Sequence, residues 1–361
     1  MNNSTFNGLW RAVFAIVVLL VACTKDAVDE SSMGALREPP AGFKQAALGM
    51  PVRLPEDLGA HPQYRLEWWY LTANLRTEDG EDFGVQWTLF RNGLRPGPYA
   101  EKTPGWQRNE VWLAHAALSR PDDHHFADRA ARGGTGQAGA TAQPFSAWID
   151  DWRLDSRGPD QWDLAVGTED FTYQLRLQVQ LPAVLNGEGG FSAKSAGGGG
   201  SMYFSYPKLA IDGEIEVGGD NFRVTGQGWF DREWSSQYLN PDQQGWDWMA
   251  LHLEDGRHLM AFRVRGAEDF YSATLVAADG GAHTLAAKQF TLKPVEYRDS
   301  RFGKVPVVWQ LQIPLANMDL SIRSWPGDYW NPGTLRYWEG PVTVTGTQAG
   351  EGYLEMTGYL P

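Results

Sequence analysis

Two acids, one base, two indoles and a phenyl ring gather in one run, Gly226-Gln227-Gly228-Trp229-Phe230-Asp231-Arg232-Glu233-Trp234-Ser235-Ser236-Gln237. A second run, Gly245-Trp246-Asp247-Trp248-Met249-Ala250-Leu251-His252, follows closely. Indoles packed this densely beside charges belong in a core or a cleft rather than on an open surface. A carboxyl group held there is either paired or has a shifted proton affinity. Kept neutral by an apolar pocket, it can donate a proton to carbon, and indole faces can stabilise the cation that results. Asp231 and Asp247, with Glu233, are therefore candidate acids, and Trp234, Trp246 and Trp248 a candidate cation cradle. The same residues have a structural alternative. Asp231, Arg232 and Glu233 can form an ion-pair network closing one end of the fold, joined by Glu67 and Arg91. Arg232, next to Asp231, is expected to favour the carboxylate form, the wrong direction for a carbon acid.

Other chemistries lack their residues. The sequence has no H-E-x-x-H, Walker or dinucleotide glycine pattern, so neither a metal nor a cofactor is expected. Gly226-Gln227-Gly228 has no helix to follow it. Ser201, Ser205 and Ser235 lack a Gly-x-Ser-x-Gly elbow. His124 and His125 are adjacent in an expected loop, and His115 and His252 read as hydrogen-bonded core histidines on strands. The net charge of -13 argues against nucleic-acid binding, which needs a basic face.

The elements that must position these groups are β-strands. The chain has 361 residues, enough for one large or two medium domains. Phe171, Tyr173, Leu175, Leu177, Val179 and Leu181 alternate with period two, which puts them on one face of a strand and would scatter them around a helix. Phe83–Arg91 alternates likewise after the turn Thr77-Glu78-Asp79-Gly80. Trp246–Leu253, the turn Glu254-Asp255-Gly256 and His258–Arg265 form a hairpin. Trp246 and Trp248 share one face of their strand. In both halves a Trp-rich strand meets an acidic glycine turn and a strand ending at Arg, a weak internal repeat. Residues 122–144 read mainly as loop with a helical turn near 126–131, and Asp212-Gly213 and Gly218-Gly219 read as turns. No long amphipathic helix is evident, and short strands spaced this way indicate sandwiches or barrels.

The start of the chain reads as an address. Arg11 precedes an apolar run, Ala12 to Ala22, too short to span a bilayer and of signal-peptide length. It ends Leu20-Val21-Ala22-Cys23, which resembles a bacterial lipobox. That resemblance implies cleavage, lipid attachment at Cys23 (the chain's one cysteine) and, with Thr24 following, an outer-membrane address on the periplasmic side. The expected organisation is a signal peptide over 1–22, a lipidated flexible tether over 23–49, and barrels over 50–219 and 220–361.

Six motifs in order carry a family likeness: Glu67-Trp68-Trp69-Tyr70, Gln86-Trp87-Thr88-Leu89-Phe90-Arg91, Gly228–Trp234, Gly245-Trp246-Asp247-Trp248, Tyr337-Trp338-Glu339-Gly340 and Gly352–Tyr359. Together they resemble the AttH-like, carotenoid 1,2-hydratase-related family of lipocalin-like proteins, often labelled secreted hydrolases. The resemblance implies an all-β chain of two tandem lipocalin-like antiparallel β-barrels. It also implies two kinds of function. One is a periplasmic lipoprotein that binds an elongated apolar ligand, a lipid or polyene, beside an ABC transporter permease. The other is cofactor-independent hydration of the terminal alkene of an acyclic isoprenoid, where the acid is an Asp followed by His rather than by Arg232. Related fungal cyclases carry polyene chemistry on the same barrels, so fold does not choose between them. Ligand contacts are expected from Trp69, Tyr70, Trp87, Trp229, Trp234, Trp246, Trp248, Tyr337 and Trp338. An ion-pair network is expected from Glu67, Arg91, Arg232 and Glu339.

Overall fold

The computed structural model of the chain describes residues 41–96, 108–237, 239–333 and 335–359. The expected signal segment, Cys23 and the tether up to Pro40 lie outside the described residues.

Two β-sheets account for the described core. The first is built from β1 (Leu66–Arg76), β2 (Asp82–Gly93), β3 (Glu110–Arg120), β4 (Asp123–Arg132), β5 (Ala138–Ala142), β6 (Phe145–Ile149) and β7 (Trp152–Gly158). It continues through β8 (Gln161–Gly167), β9 (Phe171–Val179), β10 (Val184–Leu185), β11 (Phe191–Ala193), β12 (Gly200–Val217) and β13 (Asp220–Ser235). The second holds β14 (Gly245–Leu253), β15 (His258–Arg265), β16 (Phe270–Val276), β17 (Ala282–Leu285) and β18 (Thr291–Ser300). Its remaining strands are β19 (Gly303–Ile313), β20 (Met318–Ser324), β21 (Trp330–Asn331), β22 (Tyr337–Gly346) and β23 (Gly350–Thr357).

The hydrogen-bonded order is β4-β3-β2-β1-β13-β12-β9-β8-β7-β6-β5 in the first sheet and β17-β16-β15-β14-β23-β22-β20-β19-β18 in the second. Each unit pairs its first strand with both its second and its last, and each sheet curls into a near-barrel. The open edges also correspond. They lie between strands consecutive in the chain, β4 and β5 in one unit, β17 and β18 in the other. The expected all-β, two-barrel architecture is therefore present.

Strand alternation divides the side chains between three cores. Trp69, Leu71, Ala73 and Leu75 of β1 fill the first barrel with Phe83, Val85, Trp87 and Leu89 of β2. Met249, Leu251 and Leu253 of β14 fill the second with Leu354 and Met356 of β23. The opposite faces of the same strands meet between the barrels, where Tyr70, Tyr203 and Trp229 pack on Trp248, Met260, Phe262 and Tyr353. Burying each such side chain contributes about 1.5–3 kcal/mol, so the barrels are joined by a core and not by a linker alone. Gly84 of β2 makes the approach possible. A Cβ there would stand 2.3 Å from Pro341 Cγ and 2.4 Å from the Tyr353 hydroxyl.

Three expectations need correction. The boundary placed at residue 220 falls instead between Ser235 and Gly245, because β13 closes the first sheet against β1 and β12. Gly218 and Gly219, with φ of 64° and 87°, form the tight turn of the β12–β13 hairpin and do not separate domains. Asp212-Gly213 is not a turn, since β12 runs through it; a Cβ on Gly213 would stand 2.2 Å from the Gln174 carbonyl oxygen of β9. The span 122–144 holds strands β4 and β5 rather than a loop with a helical turn. Pairing of β4 along the whole of β3 outweighs the weak strand propensity of its Asp and Ala residues.

Candidate functional site: the cavity between the barrels

A cavity of about 480 Å³ lies where the outer faces of the two barrels meet. Pockets of this size hold a drug-sized molecule. Its walls are largely aromatic and aliphatic, with Trp68, Tyr70 and Phe90 from the first barrel and Trp246, Trp248 and Leu335 from the second part of the chain. The buried carboxyl groups of Asp231 and Glu233 from β13 and of Glu67 from β1 line it, with the half-buried Glu355 of β23.

Asp231 is held by three donors. The Tyr203 hydroxyl donates to Oδ2 at 2.6 Å, and Ser205 Oγ and Trp229 Nε1 donate to Oδ1 at 2.5 and 2.6 Å. Each donor is itself fixed. Trp248 Nε1 donates to the Tyr203 hydroxyl at 3.1 Å, and Asn186 Nδ2 to Ser205 Oγ at 2.7 Å. Burial pushes the Asp231 carboxyl up to about 7, and the charge on Glu233 adds to the rise, against the pull of the three donors. Burial thus favours the acid at rest, while the donors stand ready to stabilise the carboxylate left after proton transfer.

Beside it, Glu233 is the paired acid. Lys194 Nζ stands 2.9 Å from its Oε1, and Ser201 donates to the same oxygen. The Lys194 ammonium also lies 4.2 Å from the centre of the Phe262 ring on the second barrel. Burial lowers the proton affinity of Lys194, and Glu233 opposes the shift.

The second barrel supplies its own acids. Glu355 Oε1 accepts from Trp246 Nε1 at 2.5 Å. Burial pushes Glu355 up to about 7, with the charges of Asp231 and Glu233 adding to it. Glu339, opposite Glu355 in the β22–β23 ladder, accepts from the Tyr70 hydroxyl at 2.5 Å and from Asn331 Nδ2 at 3.3 Å. Burial first, then Glu355, hold Glu339 well above the usual carboxyl range. Across the cavity the Tyr337 hydroxyl and His115 Nδ1 are 2.8 Å apart, and burial lowers His115 to about 4, so its imidazole is neutral.

Glu67, Arg91 and Arg232 form a buried ion-pair network whose Glu67 and Arg91 also line the cavity. Both arginines bond the Glu67 carboxylate, and the His61 backbone N–H donates to each of its oxygens at 2.9 Å. Arg91 also reaches the carbonyls of His61 and Tyr64, and Arg232 that of Gly59. The Arg232 guanidinium lies 3.9 Å from the Trp69 ring centre. Burial raises the proton affinity of Glu67, but Arg91 and Arg232 outweigh it and hold the carboxyl well below its usual range.

The structure therefore brings together only part of the expected site. Tyr70, Trp246, Trp248, Tyr337, Asp231 and Glu233 line the cavity. Trp229 is buried between the barrels as a donor to Asp231. Trp69, Trp87 and Trp234 point into the first barrel and Trp338 into the second, so these four are core residues and not ligand contacts. Trp234 stacks on His61 with ring centres 4.1 Å apart. Glu339, bonded by Tyr70, Tyr337 and Asn331, is a neutral acid between tyrosines rather than a member of the ion-pair network. Asp247 faces away from Trp246 and Trp248, with Arg265 Nε at 3.4 Å and Arg263 NH1 at 3.8 Å. Burial raises it to about 6 against those two arginines. The expectation that Arg232 ionises Asp231 is overturned, because successive residues of a strand point to opposite faces. Sequence reasoning missed Tyr203, Ser205, His115, Lys194 and Glu355. Period-two alternation from Tyr353 could have placed Glu355 on the outer face of its strand.

The AttH-like family profile matches residues 45–359, and the chain belongs to that family. An AttH protein from Nitrosomonas europaea has a crystal structure 33% identical in sequence, with a TM-score of 0.79, over 88% of this chain and 100% of that one. Kievitone hydratase from Nectria haematococca shares the fold at 16% identity and a TM-score of 0.66, over 90% of this chain and 98% of that one. CghA, solved with Sch210972, does so at 11% identity and 0.56, over the same shares. No curated protein matches the chain. The fold is thus AttH-like and related to that of hydratases.

Proposed function

We propose that this protein is a cofactor-independent hydratase that adds water to an alkene of an elongated apolar, isoprenoid-like substrate held between its barrels. The observation that carries the reading is Asp231, a buried carboxyl group raised to about 7 and bonded by Tyr203, Ser205 and Trp229 in an aromatic cavity. The Asp231 O–H gives its proton to the less substituted alkene carbon. The π pair becomes the new C–H bond, and a tertiary cation remains on the neighbouring carbon. The ring faces of the cavity stabilise that cation, while the three donors stabilise the carboxylate. Water adds to the cation and gives its proton to Glu355, which returns it to Asp231. The sum is alkene plus water to tertiary alcohol.

The kinship of the fold to kievitone hydratase supports this reading at the level of fold. The lipobox-like Leu20–Cys23 supports a lipid-anchored periplasmic location. The second reading, a carrier of a lipid or polyene beside an ABC permease, is favoured by the largely apolar cavity wall. One experiment separates the two. Incubation with acyclic isoprenoid alkenes in deuterated water is expected to yield an alcohol carrying one new C–D bond. Asp231→Asn is expected to lower that rate by about 10²–10⁴-fold. Recovery of bound isoprenoid without deuterium or added water would leave the carrier reading in its place.

A further inference from the structure

The cavity mouth and the start of the described chain occupy the same face. Arg65, Gly93 and the exposed Leu94 line the cavity. The Gly93 N–H donates to the Arg65 carbonyl at 2.7 Å, and the Leu94 N–H to that of Asn109 at 2.8 Å. The amino-terminal segment is packed onto this rim. Gly42 lies against Pro96, the Lys44 N–H donates to the Gln63 carbonyl, and the Phe43 ring covers Gly93. So Ala41, where the chain from Cys23 reaches the described fold, stands beside the mouth. Even fully extended, residues 24–40 span at most about 60 Å.

The same face differs in charge from the molecule as a whole. The chain carries a net charge of -13, yet Lys44, Arg95 and Arg108 are exposed around this rim, Arg108 with Glu110 at 3.8 Å and the exposed Asp128 also lining the cavity. Leu94 is 63% exposed and Leu48, in the packed amino-terminal segment, 57%. Exposed leucines among basic side chains are the combination that attaches a protein to an anionic lipid surface, by apolar insertion and by attraction to the headgroups.

From this we infer that the rim carrying Leu94 docks on an anionic bilayer, so that the cavity opens toward the membrane and takes its apolar ligand directly from it. The inference rests on the lipid anchor at Cys23 and on an apolar ligand, and holds for a hydratase or a carrier alike. It can be tested with the lipidated protein in phosphatidylglycerol liposomes. Lipid attachment consumes the Cys23 thiol, so a cysteine introduced by Leu94→Cys is the one free thiol and accepts an environment-sensitive fluorophore. A second protein carries Leu315→Cys, at a site 80% exposed on the second barrel.

The label at 94 is expected to shift to the blue and to lose access to aqueous iodide, while the label at 315 keeps it. Arg95→Gln with Arg108→Gln should weaken docking about 25-fold, a factor of about five for each charge. A label at 94 as quenchable as that at 315 overturns the inference, as does shielding of 315 instead. Turnover of micelle-dissolved isoprenoid needs no docking. Its failure with 94 shielded counts against the hydratase reading alone, and its success with 94 exposed counts against docking alone.

Discussion

Glu67 and Asp231 are both buried carboxyl groups on the paired strands β1 and β13, yet they point to opposite faces and sit in opposite electrostatic states. Glu67 faces into the first barrel, where two guanidinium groups hold it ionised. Asp231 faces the second barrel, where its neighbours are hydroxyl and indole donors and another acid, and its proton affinity rises. Burial penalises both charges; the difference is whether a cation shares the face. One residue step along β13, from Arg232 to Asp231, crosses from an ion-pair lock to an acid of raised proton affinity.

The largest loss is expected at the ion-pair lock. Arg232→Met leaves Glu67 buried with one guanidinium fewer, and loss of one partner of a buried pair costs about 3–5 kcal/mol. Urea unfolding is expected to show a loss of that order, and a stability change under 1 kcal/mol would mean the pair is dispensable.

The pH dependence of stability sharpens the contrast, because the two acids carry opposite signs. A neutral Asp231 contributes stability that is complete below its unfolded value near 3.8 and is lost as pH rises through about 7. Glu67, held low, contributes stability that is present above its unfolded value near 4.5 and is lost as pH falls through its depressed folded value. Asp231→Asn is therefore expected to remove a downward slope of up to about 1.4 kcal/mol per pH unit between pH 4 and 7. Unfolding measured across that range checks it, and an unchanged slope would show that Asp231 is ionised throughout.

The smallest effect is expected at Asp247. It is buried and raised like Asp231, but two arginines flank it on the inner face of β14. Asp247→Asn should leave hydration within about twofold of the parent, since general-acid losses of 10²–10⁴-fold follow only from the proton donor. A loss as large as that of Asp231→Asn would merge the two sites.

Much of the fold was legible because period two is local. Phe171–Val179 and Phe83–Arg91 announce their faces within a few residues, and both became strands with the expected alternation. The pairing of Trp246 with Trp248 on one face was legible for the same reason. What a strand's face looks toward is not local. Ser205 lies opposite Asp231 and Tyr203 opposite Glu233 only through the β12–β13 register, which a bulge between Tyr206 and Leu209 offsets. The polar span 122–144 hid a strand because its order comes from β3 and not from its own residues. Adjacency of Arg232 and Asp231 in sequence is not adjacency in space, because successive strand residues point to opposite faces.

The strand order that each unit repeats gives the two acids equivalent strands but unlike surroundings. Asp231 on the last strand of the first unit lies opposite Tyr70 on its first strand, and Glu355 on the last strand of the second lies opposite Trp248 on its first. Each unit thus carries a carboxyl on its last strand opposite an aromatic residue on its first, within one polypeptide. Two copies of one gene product would present identical groups at such positions. A fused pair is free of that identity. One carboxyl accepts from Tyr203, Ser205 and Trp229 and the other from the indole of Trp246, so the two sides of the cleft are unlike.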